Sequence, residues 1–307
     1  MATTARPSAA EGINSTRIWA HVHSQLMQHA VPDARFHYDF ACFAPDFRNS
    51  AAAMERVVAL PCYQAARTIL ATPDNSLEPL RARALRDGKQ LLVATYKLRR
   101  GFVLLHPGRI SEARYDVAAC LDGMEKAGTG RAVTLAQMRD QGLQIDLCVT
   151  GGLVFTSAGV VVREAPSLFE MQWALLHDVG ALRAETRVVA VAHGCQVVDE
   201  AHLSIEPTMP RRPAEVQCDY LVTPEATLQV TGATRPTGGI DFDTVDPHGL
   251  QDIPTLQELR GIRIMEKIMQ REGFLSGHEA KSPPPPPSQD EQRGIDIVNR
   301  LMQSFKS

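Results

Sequence analysis

The chain has 307 residues, 44% of them hydrophobic and 22% charged, enough for one large domain or two small ones around a sizeable core. Its net charge of −3 argues against a broad nucleic-acid or anionic-membrane surface. No apolar run approaches the roughly 18–20 residues that span a bilayer. The start "MATTARPSAAEGINS" has no apolar secretory segment, and the six scattered cysteines form no C-x-x-C pair, so the expected setting is the reducing cytoplasm.

In chain order, residues 1–14 read as a polar, disordered tail. "STRIWAHVHSQLMQH" follows as a helix, with Ser15 as its N-cap and Ile18, Trp19, Val22 and Leu26 near a helical repeat. "SAAAMERVVALPCYQAARTIL", Ser50 to Leu70, is Ala-rich and reads as a helix interrupted at Pro61. "KQLLVATY" is a short continuous apolar run of the kind that forms a strand covered on both faces, and "IDLCVTGGLVFT", "RVVAVAH" and "CDYLVTP" are three more. "SLFEMQWALLHDVGAL" reads as the helix joining the first two of these three, and "DIPTLQELRGIRIMEKIMQREG" as a later one. Strand–helix–strand spacing of this kind predicts an α/β fold, with a mainly parallel sheet between two helical layers over residues 15–275. Residues 276–289 form a Pro-rich linker containing "SPPPPPS". Residues 290–307 read as an amphipathic C-terminal helix, with Ser288 and Glu291 at capping-box spacing, which either folds back or docks a protein partner.

In open α/β sheets ligands gather at the carboxyl ends of the parallel strands. After "LLVATY" come Lys97, Arg99 and Arg100, three cations suited to a polyanion such as a nucleotide phosphate or a polyglutamate tail unless they form a solvated loop, and then Gly101. After "VVAVAH" come His193, Gln196, Asp199 and Glu200, able to hydrogen-bond a heteroaromatic ligand. His21 and His23 lie two apart on a helix and do not share a face, so they make a poor metal pair. No nucleophile elbow, Walker loop or dinucleotide-binding glycine motif occurs, and no metal ligands are assigned.

Several segments together resemble the 5-formyltetrahydrofolate cyclo-ligase (methenyltetrahydrofolate synthetase) family, most closely its divergent methenyltetrahydrofolate synthetase domain-containing branch. They are "RIWAHV", "APDF", "KQLLVATYKLRRGF", "IDLCVTGGLVFTSAG", "VVAVAHGCQVVDE", "CDYLVTPEATL" and "RPTGGIDFDTVDPHGLQDIPTLQELR", in the family's order over roughly residues 15–270. The resemblance implies an α/β/α fold and a reaction. ATP and Mg²⁺ phosphorylate the formyl oxygen of 5-formyltetrahydrofolate, N10 attacks the activated carbon, and loss of phosphate gives 5,10-methenyltetrahydrofolate.

The resemblance also implies a glycine-rich phosphate loop between strand and helix, which here aligns with "REAPSLFEMQW". Arg163, Ala165 and Ser167 stand where the branch has glycines, Glu170 where the family has Asp, and Met171 where it has Arg. Each replacement adds a Cβ, and Pro166 removes an amide donor, so a backbone cradle for phosphate is hard to form. The residues assigned are Glu170, Lys97 and Arg99 to catalysis, Arg17, Gly101 and Ser167 (as helix N-cap) to the cofactor, and Trp173, Gln196, Asp199 and Thr223 to the substrate. ATP and Mg²⁺ are expected if the family activity is retained. Three readings stay open: a family enzyme with altered chemistry or substrate, which is favoured; a non-catalytic folate- or nucleotide-binding protein; and a working ATP-dependent cyclo-ligase. All three take a small-molecule ligand, with no nucleic acid and no membrane.

Overall fold

The computed structural model describes residues 9–126, 128–163, 168–199 and 215–271. An eight-stranded sheet organises the chain: β1 (Thr68–Ala71), β2 (Gln90–Ala94), β3 (Phe102–Leu105), β4 (Arg131–Val133), β5 (Ile145–Thr150), β6 (Leu182–Val191), β7 (Tyr220–Val222) and β8 (Thr227–Gln229). Their order across the sheet is β8-β7-β6-β5-β1-β2-β3-β4. The central five, β7, β6, β5, β1 and β2, are parallel, while β3, β4 and β8 are joined at the edges by antiparallel pairings, β3 to β2, β4 to β3 and β8 to β7. This is the expected α/β architecture, and its parallel strands follow the doubly wound order 2-1-3-4-5.

The central strands read as continuous apolar runs because both faces are covered. Alternate residues Ile69, Leu91, Val93, Leu147, Val149, Val189, Val191 and Val222 join one buried cluster with Val57, Tyr63, Leu80, Ala84 and Ala118 from the helices Ser50–Val58, Pro61–Ala65, Glu78–Arg86 and Tyr115–Ala119. The crossover from β5 to β6 carries the helix Phe169–Asp178, whose Phe169, Trp173 and Leu176 are buried outside that cluster. Right-handed crossovers on either side of a strand-order reversal lie on opposite faces, which gives the three layers.

Several local expectations are corrected. The first helix runs Ala9–His29 and so begins ahead of Ser15, inside the expected tail. The segment Ser50–Leu70 is not one interrupted helix: it holds two short helices and then β1, the strand at the centre of the sheet. "IDLCVTGGLVFT" is two strands, because Gly151 and Gly152 turn the chain out of β5 before Val154–Thr156. A side sheet pairs Val154–Thr156 with Val197–Val198 and with Val161–Arg163, so the strand that precedes the glycine-free corner belongs to this side sheet. The helix after the corner starts at Phe169, and its N-cap is Leu168 in the left-handed region (φ 56°) with no side-chain cap, where Ser167 was expected. Ser167 itself, Glu200 and the C-terminal segment 290–307 lie outside the described residues. Contacts divide the chain into two units, Met1–Thr255 and Leu256–Ser307, with the helix Pro254–Arg271 entering the second. No described helix is long and apolar enough to cross a membrane.

Candidate functional site

In this strand order the reversal falls between β1 and β5, and the crevice outside their carboxyl ends is the natural ligand site. β1 runs into Thr72-Pro73-Asp74-Asn75, and β5 into Gly151-Gly152. Asp74 is buried, and its Oδ2 accepts from the Thr72 hydroxyl and, at 3.0 Å, from the Gly151 amide. That amide also reaches Thr72 Oγ1 at 3.2 Å. The approach is close enough to demand glycine: a Cβ on residue 151 would stand 2.8 Å from Asp74 Oδ2 and 2.9 Å from its Cβ. A Cβ on residue 152 would enter the Phe155 ring at 2.5 Å.

The same seam continues to β6. Gln196 is buried; its amide nitrogen donates to the carbonyls of Gly152 (2.9 Å) and Leu153 (3.3 Å), and its Oε1 accepts from the His193 amide at 2.8 Å. The side chain predicted to face substrate thus stitches the ends of β5 and β6. His193 stacks on His29, the last residue of the first helix, with ring centroids 4.0 Å apart. Its Nδ1 accepts from the Cys195 amide at 3.2 Å, which leaves the proton of the neutral ring on Nε2. Burial, and then the neighbouring His29, push the His193 pKa below its ordinary value.

Over the ends of β1 and β2 lies a small cleft of about 20 Å³, lined by Arg35, Phe36, Cys42, Asp74, Asn75 and Tyr96 among others. That is room for a water, so a larger ligand must displace part of the lining. Phe36 stacks on Tyr96 with centroids 5.8 Å apart, and Tyr96 donates its hydroxyl to the Cys42 carbonyl at 2.9 Å. The lining segment is pinned by Asp33, which takes Arg35 at 2.9 Å and the Asn75 amide at 2.7 Å. The Arg35 guanidinium, with Asn75, holds the Asp33 carboxyl well below the usual carboxylate range.

The predicted cations do not converge. The chain after β2 makes a tight turn into antiparallel β3, with Lys97 and Leu98 in the left-handed region and Gly101 at φ 72°. Lys97 lies over the Tyr96 ring at 5.4 Å, Arg99 is exposed, and Arg100 forks onto Glu125 (Nε–Oε1 2.7 Å, with Nη2 on Oε2). Arg17 is exposed, and Arg163 lies over the Trp19 ring at 4.7 Å. Glu170 is half-buried in the first turn of its helix. Trp173 is buried against Phe169 and beneath Arg235, Asp199 is exposed, and the Thr223 hydroxyl accepts from the Ala226 amide at 3.0 Å to close the hairpin between β7 and β8. Among the described residues no group of three His, Cys, Asp or Glu side chains is placed to hold a metal ion. The predicted cations Arg17, Lys97, Arg99 and Arg100 thus do not face one point, and the helix Phe169–Asp178 starts without a side-chain cap.

Sequence reading missed β1 and with it Thr72, Asp74 and Gly151. A four-residue apolar run after an Ala-rich helix is too short to declare itself by periodicity, but the Thr-Pro-Asp that ends it was a usable stop signal.

The chain is homologous to proteins named methenyltetrahydrofolate synthase domain-containing protein. It is 26% identical to the one from Homo sapiens over 273 residues, 88% of this chain and 65% of that protein. It is 27% identical to the Mus musculus protein over 254 residues (81% and 64%) and 27% identical to the Bos taurus protein over 220 residues (70% and 54%). The chain therefore spans less than two thirds of the length of these relatives. Among solved structures, the NMR structure of Aquifex aeolicus 5,10-methenyltetrahydrofolate synthetase superposes with a TM-score of 0.41 at 13% identity, over 72% of this chain and 94% of that one. No family model matches the chain.

Proposed function

We propose, from the premise that this chain is a cyclo-ligase-like homologue of the methenyltetrahydrofolate synthase domain-containing proteins, that it takes a folate-like small molecule at the carboxyl ends of β1 and β5 and acts on it by altered chemistry, without the family's ATP-driven step. One observation carries the reading. The ends of β1, β5 and β6 are stitched into a rigid rim by Asp74, Gly151 and Gln196, while the cations meant for a phosphate point to separate places. A pre-organised rim keeps ligand binding inexpensive in entropy, whereas scattered cations cannot stabilise a transferring phosphoryl group.

At such a rim, Asp74 supplies a buried carboxylate and neutral His193 an Nε2–H donor. A planar ring bearing N–H and carbonyl groups matches that pairing of acceptor and donor. The commitment of Gln196 and Thr223 to the backbone supports a second reading, a binding protein without turnover.

Calorimetry with 5-formyltetrahydrofolate, with and without Mg·ATP, tests the proposal alongside absorbance of the methenyl product and mass spectrometry of the recovered folate. The expected result is folate binding that Mg·ATP does not change, no methenyl absorbance, and a modified folate on recovery. Folate recovered unchanged selects the second reading. Methenyl product that depends on Mg·ATP overturns both.

A further inference from the structure

Arg81 is a charged side chain with only 1% of its surface exposed, on the helix Glu78–Arg86 that follows β1. Burying a guanidinium is expensive unless its donors are satisfied and its charge is balanced. Here the donors go to main-chain carbonyls: Nε to Ala119 at 2.8 Å, and Nη1 to Thr72 at 2.8 Å and Asp74 at 3.0 Å. No carboxylate among the described residues pairs with it within 4.0 Å, although Glu78 and Asp74 are near enough to favour its charge. Burial lowers its pKa to about 10, so it remains a cation at neutral pH.

The two carbonyls it holds bracket Pro73, in the turn that leads from β1 to the crevice. With the Asp74 carbonyl drawn to Arg81, the amide of the same peptide unit, on Asn75, faces the Ala44 carbonyl at 3.4 Å, on the cleft side. The Asp74 side chain is thereby left to reach across to Gly151. A lysine could supply the charge but not the planar fork that meets three carbonyls from two chain segments.

We infer that Arg81 is the positioning residue of the crevice: its guanidinium sets the Thr72 and Asp74 carbonyls and so aims the Asp74 carboxylate at the Gly151 amide between β1 and β5. It acts through Asp74 and touches no ligand. The inference deepens the proposed folate-like site and rests on that reading only in its ligand arm.

The test uses the full chain carrying Arg81→Lys or Arg81→Gln, studied at low temperature where the protein is folded. Amide hydrogen exchange is read at Gly151 and Asn75 against Ile69 and Val149 inside the strands, and affinity is read with 5-formyltetrahydrofolate. Exchange at Gly151 and Asn75 is expected to quicken by about tenfold or more, the loss of one charge-assisted hydrogen bond, with Ile69 and Val149 unchanged. Affinity is expected to fall by a similar factor. Uniform quickening at all four amides, or none, means a merely structural role and overturns the inference. Should the wild-type protein fail to bind 5-formyltetrahydrofolate, the ligand reading falls while the exchange arm still decides the role of Arg81. If neither variant folds, the wild-type protein decides: Arg81 Nε–H and the Gly151 amide must open together, and independent opening refutes the positioning role.

Discussion

Replacing Gly151 with Ala tests the contact on which the crevice depends. The added Cβ would meet Asp74 Oδ2 at 2.8 Å and its Cβ at 2.9 Å, closer than real Cβ contacts allow, and its Cγ at a tight 3.0 Å. Asp74 cannot swing away cheaply, because it is buried and its Oδ2 serves both the Thr72 hydroxyl and the Gly151 amide. Overpacking of this kind costs roughly 1–3 kcal/mol. Stretching a charge-assisted hydrogen bond in a buried place adds about 1.5–3 kcal/mol at most. A loss on the order of 3 kcal/mol is therefore expected, seen as a drop of roughly 5 °C in Tm for a chain of this size. Urea unfolding followed by tryptophan fluorescence reads it. Gly261→Ala is the control, since that glycine lies within the helix Pro254–Arg271 and its Cβ would meet nothing within 4 Å. There the change should stabilise by about 0.5–1 kcal/mol. If Gly151→Ala is as stable as the wild type, the latch between β1 and β5 is not what holds the crevice.

Asp219 is buried where β7 begins and takes the Arg187 guanidinium at 2.8 Å, the Val188 amide at 2.7 Å and the Arg235 guanidinium. Asp219→Ala should cost about 3–5 kcal/mol by stranding the Arg235 charge, while Arg187→Ala, on a side chain 59% exposed, should cost under about 1 kcal/mol. Denaturant titration of the two variants checks the ranking, and equal losses would refute it. For His193, burial holds the folded-state pKa below the unfolded value, so the unfolded chain takes up the proton first. The neutral ring's contribution is therefore complete above about pH 6.5 and is lost as pH falls toward the folded-state pKa. His193→Phe, which keeps a ring against His29, should flatten the decline in urea midpoint between about pH 7.5 and about pH 5.5, and parallel declines would refute the assignment.

The sheet was legible where the sequence carries continuous apolar runs, as in Gln90–Ala94 and the last four residues, Val188 to Val191, of β6, because strand segments buried on both faces must be apolar throughout. β1 was not legible, since its four residues continue the apolar habit of the Ala-rich helices before it. The site suffered for the same reason. Asp74 and Gly151 lie 77 residues apart, and nothing local in either segment announces that a carboxylate will meet an amide across two parallel strands. Gln196 was visible as a polar residue at a strand end, but only the fold decides whether such an amide faces ligand or backbone. The run "PTGGIDFD" marks a structural wrap: Asp178 accepts from the Ile240 amide at 2.8 Å, and a Cβ on Gly239 would sit 2.1 Å from its Oδ1.

Scattered cations alone do not decide whether this chain handles a triphosphate. Arg100 is 70% exposed in its pair with Glu125, and an exposed ion pair contributes about 0–1 kcal/mol, so a ligand of high charge could draw Arg100 away at little cost. What a side chain cannot replace is a set of backbone amides already aimed at phosphate, for these need no reorganisation when the charge arrives. The two causes separate by mutation. Glu125→Gln frees Arg100 and leaves the corner unchanged, whereas glycines at Ala165 and Ser167 leave the cations unchanged and remove two Cβ atoms. If missing amides are the limit, Mg·ATP affinity in calorimetry stays within about threefold of wild type in the first variant and tightens by about tenfold or more in the second. The opposite ranking would place the defect in the cations. Tight Mg·ATP binding by the unaltered chain would refute the loss of the phosphate site altogether.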